Sequence, residues 1–371
     1  MTMSTRASQA WVIARIEMRR AFFSKRGLWV YLLALFPSVI FIGHALEMKF
    51  QQRRWASGPK VTAALIDGVS RGEKDSEVLR RLGEPADDNE WNRRKYKEER
   101  GPNGVRRYEE QPELERHRHM VYFDGQRRVN LHFVNGLLES KNVRGIGNFE
   151  EDRSIYAGVF QYFYLRLAIF FGCLGIFMNL FRGEMLDKTL HFWFLFPTRR
   201  EVLLLGKYLA GLTAACVIFT SGAMISYWAM LWPHSGVEMQ AYWQSVGWSH
   251  VIWYCVAAML GCVGYGSVFV AAGLLLRNPI IPAAVLLAWE GINGFLPDVL
   301  QKLSVLHYLQ SLCPVPAPMD SDVPALLKLL LNPASPSSKM GAILGLLAVT
   351  ALVLWVASKA VRRLEINYGT E

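Results

Sequence analysis

Arg182-Gly-Glu-Met-Leu-Asp-Lys-Thr-Leu-His-Phe-Trp-Phe-Leu-Phe-Pro-Thr-Arg-Arg-Glu-Val-Leu-Leu-Leu-Gly-Lys207 is a charged, amphipathic linker caught between two long apolar runs. A chain that crosses a membrane leaves such a linker in water. Glu184 and Asp187 suit the positive end of a helix dipole, and Thr189, Phe192 and Leu195/Phe196 recur at helical spacing on one side. The pattern predicts a short interfacial helix. Pro197 ends it, because proline lacks the amide hydrogen and clashes with the preceding turn. Thr198-Arg199-Arg200-Glu201 then reads as a capping box opening the next helix.

Working outward, hydrophobic residues make up 52% of the chain and the mean hydropathy is +0.16, high for a soluble protein. The formal charge of +10 raises the question of nucleic acid. Yet within 47–156 the 22 Lys and Arg nearly cancel 20 Asp and Glu, which leaves the excess at the ends of apolar runs. That distribution suits membrane topology and not a nucleic-acid surface. The five cysteines include no CxxC pair, and four lie in apolar runs, so neither a disulfide framework nor a zinc site is implied.

The expected fold is an α-helical integral membrane protein. It has six transmembrane helices, an amphipathic N-terminal interfacial helix, and a small α+β extracytoplasmic domain between the first and second spans. Residues 1–27 form the cytoplasmic interfacial helix, with Trp11, Ile16, Phe22 and Phe23 among Arg15, Arg19, Arg20, Lys25 and Arg26. Residues 28–46 make the first span; a signal peptide is rejected because the apolar run exceeds the usual ~7 to 15 residues. The extracytoplasmic domain covers 47–155, and the second span 156–181. The linker and its coupling helix occupy 182–207. The third span is 208–232, followed by a short outer loop over 233–249, and the fourth span is 250–276. A tight turn at Arg277-Asn278-Pro279 leads to a fifth span, 280–297. Residues 298–338 hold apolar pieces too short to cross, either re-entrant or interfacial. The sixth span is 339–357 and the cytoplasmic tail 358–371.

Inside the outer domain, 61–66 reads as a strand and 75–82 as a short helix. Val121-Tyr122-Phe123, Asp124-Gly125 and alternating Val129, Leu131 and Phe133 read as a hairpin. Residues 83–120 are charged and nearly free of aliphatic side chains, which predicts a mobile or part-helical stretch. His117-Arg118-His119-Met120 carries a bare His-x-His, more often solvated surface than a metal site.

Glu184, Thr189, Pro197, Arg199 or Arg200, Leu203 to Leu205 and Gly206-Lys207 match in order and spacing the linker of type 2 ABC exporter permeases, which this chain resembles. The resemblance extends weakly over the whole chain, to a closing Arg362-Arg363-Leu364-Glu365. It implies a cytoplasmic coupling helix that docks on a separate ATPase subunit. It also implies a second permease copy or homologous permease as dimer partner, and favours the re-entrant reading of 298–338.

The segments at Met1, the linker, Arg277 and the carboxyl end are basic, so the positive-inside rule puts both termini in the cytoplasm of a bacterial inner membrane. Two ionisable residues then sit where lipid is expected. Arg166 and Glu290 both lie roughly 20 to 24 Å from the inner boundary at ~1.5 Å rise per residue. A lone charge there costs about 2.5 to 3.5 kcal/mol. Glu290, with Asn293 nearby and Arg166 as partner, is therefore expected either to line a translocation route or its outer gate, or to hold the bundle together.

The chain has no G-x-x-x-x-G-K-[ST] phosphate loop, G-x-S-x-G elbow or H-E-x-x-H helix. The expectation is a transport subunit with no cofactor of its own and no enzymatic activity, ATP and magnesium being held by the partner ATPase. The coupling residues are Glu184, Asp187, Thr189, Phe192, Pro197, Arg199, Arg200 and Lys207. The lipid membrane is the remaining partner, and no nucleic acid is expected. The competing class is a membrane-anchored receptor or scaffold whose outer domain binds a ligand; an integral-membrane enzyme is weaker for want of a motif.

Overall fold

A computed structural model describes the chain apart from residues 1–2, 24–27, 57–60, 101–105, 125–126, 146–147, 179, 181–182, 185–192, 194, 196–197, 235–236, 277–279, 294–295, 318–336 and 363–371. It divides into two compact units, Met1–Gly43 with Asp152–Glu371, and His44–Glu151.

The first unit is helical. Helix α1 (Met3–Phe23) precedes α2 (Leu28–Ala56), which runs past the expected end of the first span. α5 (Phe149–Gly158) passes through a π-helical stretch, Val159–Ala168, into α6 (Ile169–Met178). α7 (Arg200–Leu231) follows the linker. α8 (Val237–Tyr242) continues through a π-helical turn, Trp243–Gly247, into α9 (Trp248–Leu275). Then come α10 (Ile280–Ile292), α11 (Asp298–Gln301), α12 (Val305–Leu312) and α13 (Lys339–Arg362).

Five helices among the described residues are long and apolar enough to cross a membrane: Leu28–Arg53, Phe149–Met178, Arg200–Leu231, Glu238–Leu275 and Lys339–Arg362. The molecule is compatible with a multi-pass helical membrane protein. The expected fifth span differs: α10 has 13 residues, short of the ~20 a crossing needs, and its helix ends at Ile292, just before Asn293 and Gly294. The expected outer loop 233–249 is also corrected, since from Val237 it is helical and joined to α9. Glu238, Met239, Gln240 and Ala241 are good helix formers, and no proline follows Pro233 before α9.

α9 lies at the centre, packed against α6, α7, α12 and α13. Its small-residue seam, Ala257, Gly261, Gly264, Ser267 and Ala271, is buried, and Val305 and Leu309 of α12 press into it. Large apolar side chains such as Leu32, Val39, Val217 and Leu352 point outward, as helices facing lipid require.

The second unit packs α3 (Ala63–Asp67) and α4 (Asp75–Leu82) with an antiparallel sheet in the order β1 (Asp87–Arg100), β2 (Arg106–Phe123), β3 (Arg127–Val134), β4 (Leu137–Gly145). Val129, Leu131 and Phe133 alternate inward on β3 and close a core with Ile66, Val78, Met120, Tyr122 and Leu138. The expected helix 75–82 and the β2–β3 hairpin are found.

Two expectations for this unit are corrected. Residues 61–66 are not a strand: Val61 makes one backbone bond to the Phe123 carbonyl, and at Thr62 the chain turns into α3, where Ala63 and Ala64 favour helix. The described part of 83–120 is not helical: from Asp87 onward it forms the long β1–β2 ladder. At the end of the ladder nearer β3, charged side chains pair across the strands. Arg116 grips Glu90 through two bonds of 2.6 and 3.0 Å, and Arg118 grips Asp88 through bonds of 2.9 and 2.6 Å. The ladder shifts register between Arg94 and Tyr96, opposite the stretch containing Pro112, which has no amide hydrogen to give.

Candidate functional site

The site forms where the linker meets α1 and the start of α7. Gly206 lets the two helices touch: a Cβ there would stand 2.7 Å from the Ile13 Cβ and 2.9 Å from the Ala10 carbonyl oxygen. Ala10 and Ile13 of α1 bury themselves against Val202 and Leu203 of α7, with Trp193 of the linker alongside. This contact carries the next residue, Lys207, into the interior, where its side chain is 0% exposed.

A buried ammonium needs opposite charge and hydrogen-bond acceptors. Lys207 Nζ donates to Glu17 Oε1 at 2.9 Å and to Glu184 Oε1 at 2.8 Å. Arg20 Nη1 donates to the same Glu184 oxygen at 3.0 Å and lies 3.9 Å from Glu17 Oε1. Trp193 Nε1 also donates to Glu184 Oε1 at 3.0 Å, and its ring sits 4.9 Å from the ammonium. Two carboxylates and two cations balance. Burial pushes the Glu184 carboxyl above its ordinary range, while the charge and hydrogen bond of Lys207 and the Trp193 hydrogen bond pull it back. The network runs from fully buried Lys207 to Arg20, whose side chain is 65% exposed.

Of the expected coupling residues, the structure brings Glu184 and Lys207 together. Arg199, and not Thr198, stands at the cap position before α7; it is exposed and its side chain makes no cap. The capping box is thereby corrected. Glu201 is instead drawn away into an ion pair with Arg362 of α13, and Arg200 Nη1 donates to the Arg362 carbonyl at 3.2 Å. Asp187, Thr189, Phe192 and Pro197 lie outside the described residues, as does most of the coupling helix, though Trp193 and Leu195 are helical.

Glu17 was not expected. The signal available was that it is the one acid in the first 46 residues, set among basic ones.

Farther along the helices, Glu290 is buried and accepts from the Ser304 hydroxyl and from the amides of Val305 at 3.1 Å and Leu306 at 3.5 Å. It therefore caps the first turn of α12, where amide hydrogens are unsatisfied and the dipole is positive. Arg166 lies 5.7 Å from the Tyr162 ring centroid and within electrostatic range of Glu290 and Tyr265. Asn293 is buried on the turn after α10.

In the sheet unit, Trp91, His117 and His132 stack with ring centroids 5.2 to 5.9 Å apart, and His117 Nδ1 faces His132 Nε2 at 3.1 Å. No group of three His, Cys, Asp or Glu among the described residues is placed to hold a metal.

No family model matches the chain, and neither a curated protein nor a solved structure does.

Proposed function

We propose that the chain is the permease subunit of an ATP-driven exporter, working as a dimer of permease halves with two separate ATPase subunits at a bacterial inner membrane. Both termini and the linker lie on the cytoplasmic side, and the sheet unit lies outside. The observation that carries this reading is the buried Glu17–Lys207–Glu184 network. It fastens the linker to α1 and to the base of α7 through charged groups, so a push on the linker reaches two helices at once.

In this account Glu184 is an internal strut, while exposed Arg199 and the outer face of the linker meet the ATPase. ATP binding closes the ATPases and moves the linker, and the helices shift from inward-open to outward-open. Coupling requires that the docked contact differ between the two states. Glu290 holds α12 to α10 and sits on the moving part of the route.

The test is ATPase stimulation in the reconstituted complex. Glu184→Gln should leave the ATPase bound but lower permease-dependent hydrolysis several-fold, and Arg199→Glu should weaken docking itself. Unchanged stimulation in both variants contradicts the assignment. The folded sheet unit, with its own core, favours one second reading, a receptor whose helices only anchor it; that reading requires no ATPase at all.

A further inference from the structure

The histidines that meet in the sheet unit are not the His-x-His pair of the sequence. Met120 and Tyr122 of β2 and Leu131 and Phe133 of β3 point into the core, so His117 and His132 stand on the other face. There His117 Nδ1 faces His132 Nε2 at 3.1 Å, the two rings within 14° of parallel. Each ring turns its other nitrogen toward a carboxylate. His117 Nε2 lies 3.8 Å from Glu115 Oε2, and His132 Nδ1 lies 3.6 Å from Glu139 Oε2. Glu139 is placed by a bulge: the register passes from His132 opposite Ser140 to Phe133 opposite Leu138 and leaves Glu139 unpaired. Bulges of this kind re-aim a side chain, here at His132. Trp91, the cross-strand neighbour of His117, lies alongside both rings, 9° and 18° from parallel with them.

This row of four groups is one hydrogen short. It has three gaps, one between the rings and one at each carboxylate, whereas two neutral imidazoles carry one N–H each. In every choice of tautomers one gap lacks a hydrogen. A cation between the rings lets both N–H groups turn outward to the carboxylates, the arrangement that orients metal-bound histidines. The lengths agree with this. Two nitrogen–metal bonds of ~2.0 to 2.1 Å span about 1 Å more than the 3.1 Å now between the nitrogens. Parting the rings by about 0.5 Å each carries the outer gaps of 3.8 and 3.6 Å toward hydrogen-bonding length. A shared proton fills the inner gap but leaves the outer two long.

The ligand set selects the ion. No group of three His, Cys, Asp or Glu among the described residues is placed to hold a metal, and zinc takes three or four protein ligands. Two nitrogens facing each other suit a monovalent ion that binds in line between two ligands, and imidazole is a copper ligand. We propose that His117 and His132 form a two-coordinate site for Cu(I), with Glu115 and Glu139 accepting the outer N–H groups. The proposal concerns the sheet unit by itself and is independent of the ATPase.

The probe is Ag(I), which shares the charge and linear preference of Cu(I) and keeps its oxidation state. It is added to the full chain in detergent at a buffered free concentration, beyond saturation of the five cysteines. Hydrogen exchange of 115–134 is followed by peptide mass spectrometry with and without the ion. At ten times the half-saturating concentration exchange should slow about tenfold, since an ion bound only by the folded form suppresses opening in that proportion. His132→Gln should abolish the slowing. Glu139→Gln changes a side chain that is 64% exposed, and should raise the half-saturating concentration about tenfold. His119→Gln should alter neither. Exchange that Ag(I) leaves unchanged overturns the site, as does slowing that survives His132→Gln or is lost in His119→Gln. Equal slowing by Zn(II) overturns the two-coordinate assignment. If His132→Gln speeds exchange throughout the sheet unit before any ion is added, Glu139→Gln decides, and an unshifted titration there counts against the proposal.

Discussion

Lys207 shows how one residue sets the cost of its surroundings. Its ammonium is enclosed by Glu17 and Glu184, and removing one partner of a buried charge group leaves the others unpaired. Lys207→Met should destabilise the helical unit by about 3 to 5 kcal/mol, read as loss of thermal stability in detergent. The triple change that also makes Glu17 and Glu184 into Gln should recover much of that loss, since it leaves no unpaired charge. Glu184 and Lys207 were legible because the linker pattern singles them out. Glu17 was not, because its meaning depends on a contact 190 residues away.

Titration in the sheet unit also belongs to single residues. Burial, helped by the charge of Arg128, holds the His119 imidazole below its ordinary value of 6.5, while hydrogen bonds from Arg118 and Arg116 hold Asp88 and Glu90 below theirs of 3.8 and 4.5. In each case the unfolded chain binds the proton more tightly, so stability is present above the ordinary value and is lost as pH falls through the folded one. Hydrogen exchange of the β2 and β3 amides should accelerate in two steps, the first beginning below 6.5 and the second below 4.5. His119→Gln should remove the first step only.

Among elements, the α1–α7 contact depends on a glycine. Gly206→Val places a branched side chain against Ile13 and the Ala10 carbonyl, and overpacking of this kind costs typically ~1 to 3 kcal/mol. α1 should come away first, so that limited trypsin cleaves after Arg15 and Arg19 faster than in the parent, while cleavage in the sheet unit stays unchanged. Unaltered cleavage would show that Gly206 is not what seats α1.

The sheet elements explain why the sheet unit was read less well than the long helices. β1 and β2 have few aliphatic side chains to mark period two, and Asp88 and Glu90 meet Arg118 and Arg116 across the ladder, a pairing that no single strand reveals. The β3–β4 turn was missed although Asn135-Gly136 announces it. Both residues have positive φ, 51° and 80°, the requirement of a tight primed turn, and this adds the fourth strand.

For the whole molecule, twenty-residue apolar runs place five helices in sequence with little ambiguity, because backbone polar groups in lipid must be satisfied within each helix. The short α10 and the helical start of α9 were harder to read. Glu290 of α10 bonds to the start of α12, and no proline interrupts the run from Val237 into α9; hydropathy registers neither. Orientation is tested by single cysteines at Arg199 and Glu139, both exposed. In intact inner-membrane vesicles of right-side-out polarity, an impermeant maleimide should label position 139 and spare position 199.

As a proposed exporter subunit, the chain would transmit work from an ATPase through its linker. The most direct measurement is extraction from the native membrane in mild detergent, followed by identification and stoichiometry of what co-purifies. A soluble ATPase with a phosphate-binding loop, at about one copy per permease chain and lost on Arg199→Glu, is the predicted result. Purification with no ATPase, even after crosslinking in the membrane, would contradict the account and favour the anchored receptor.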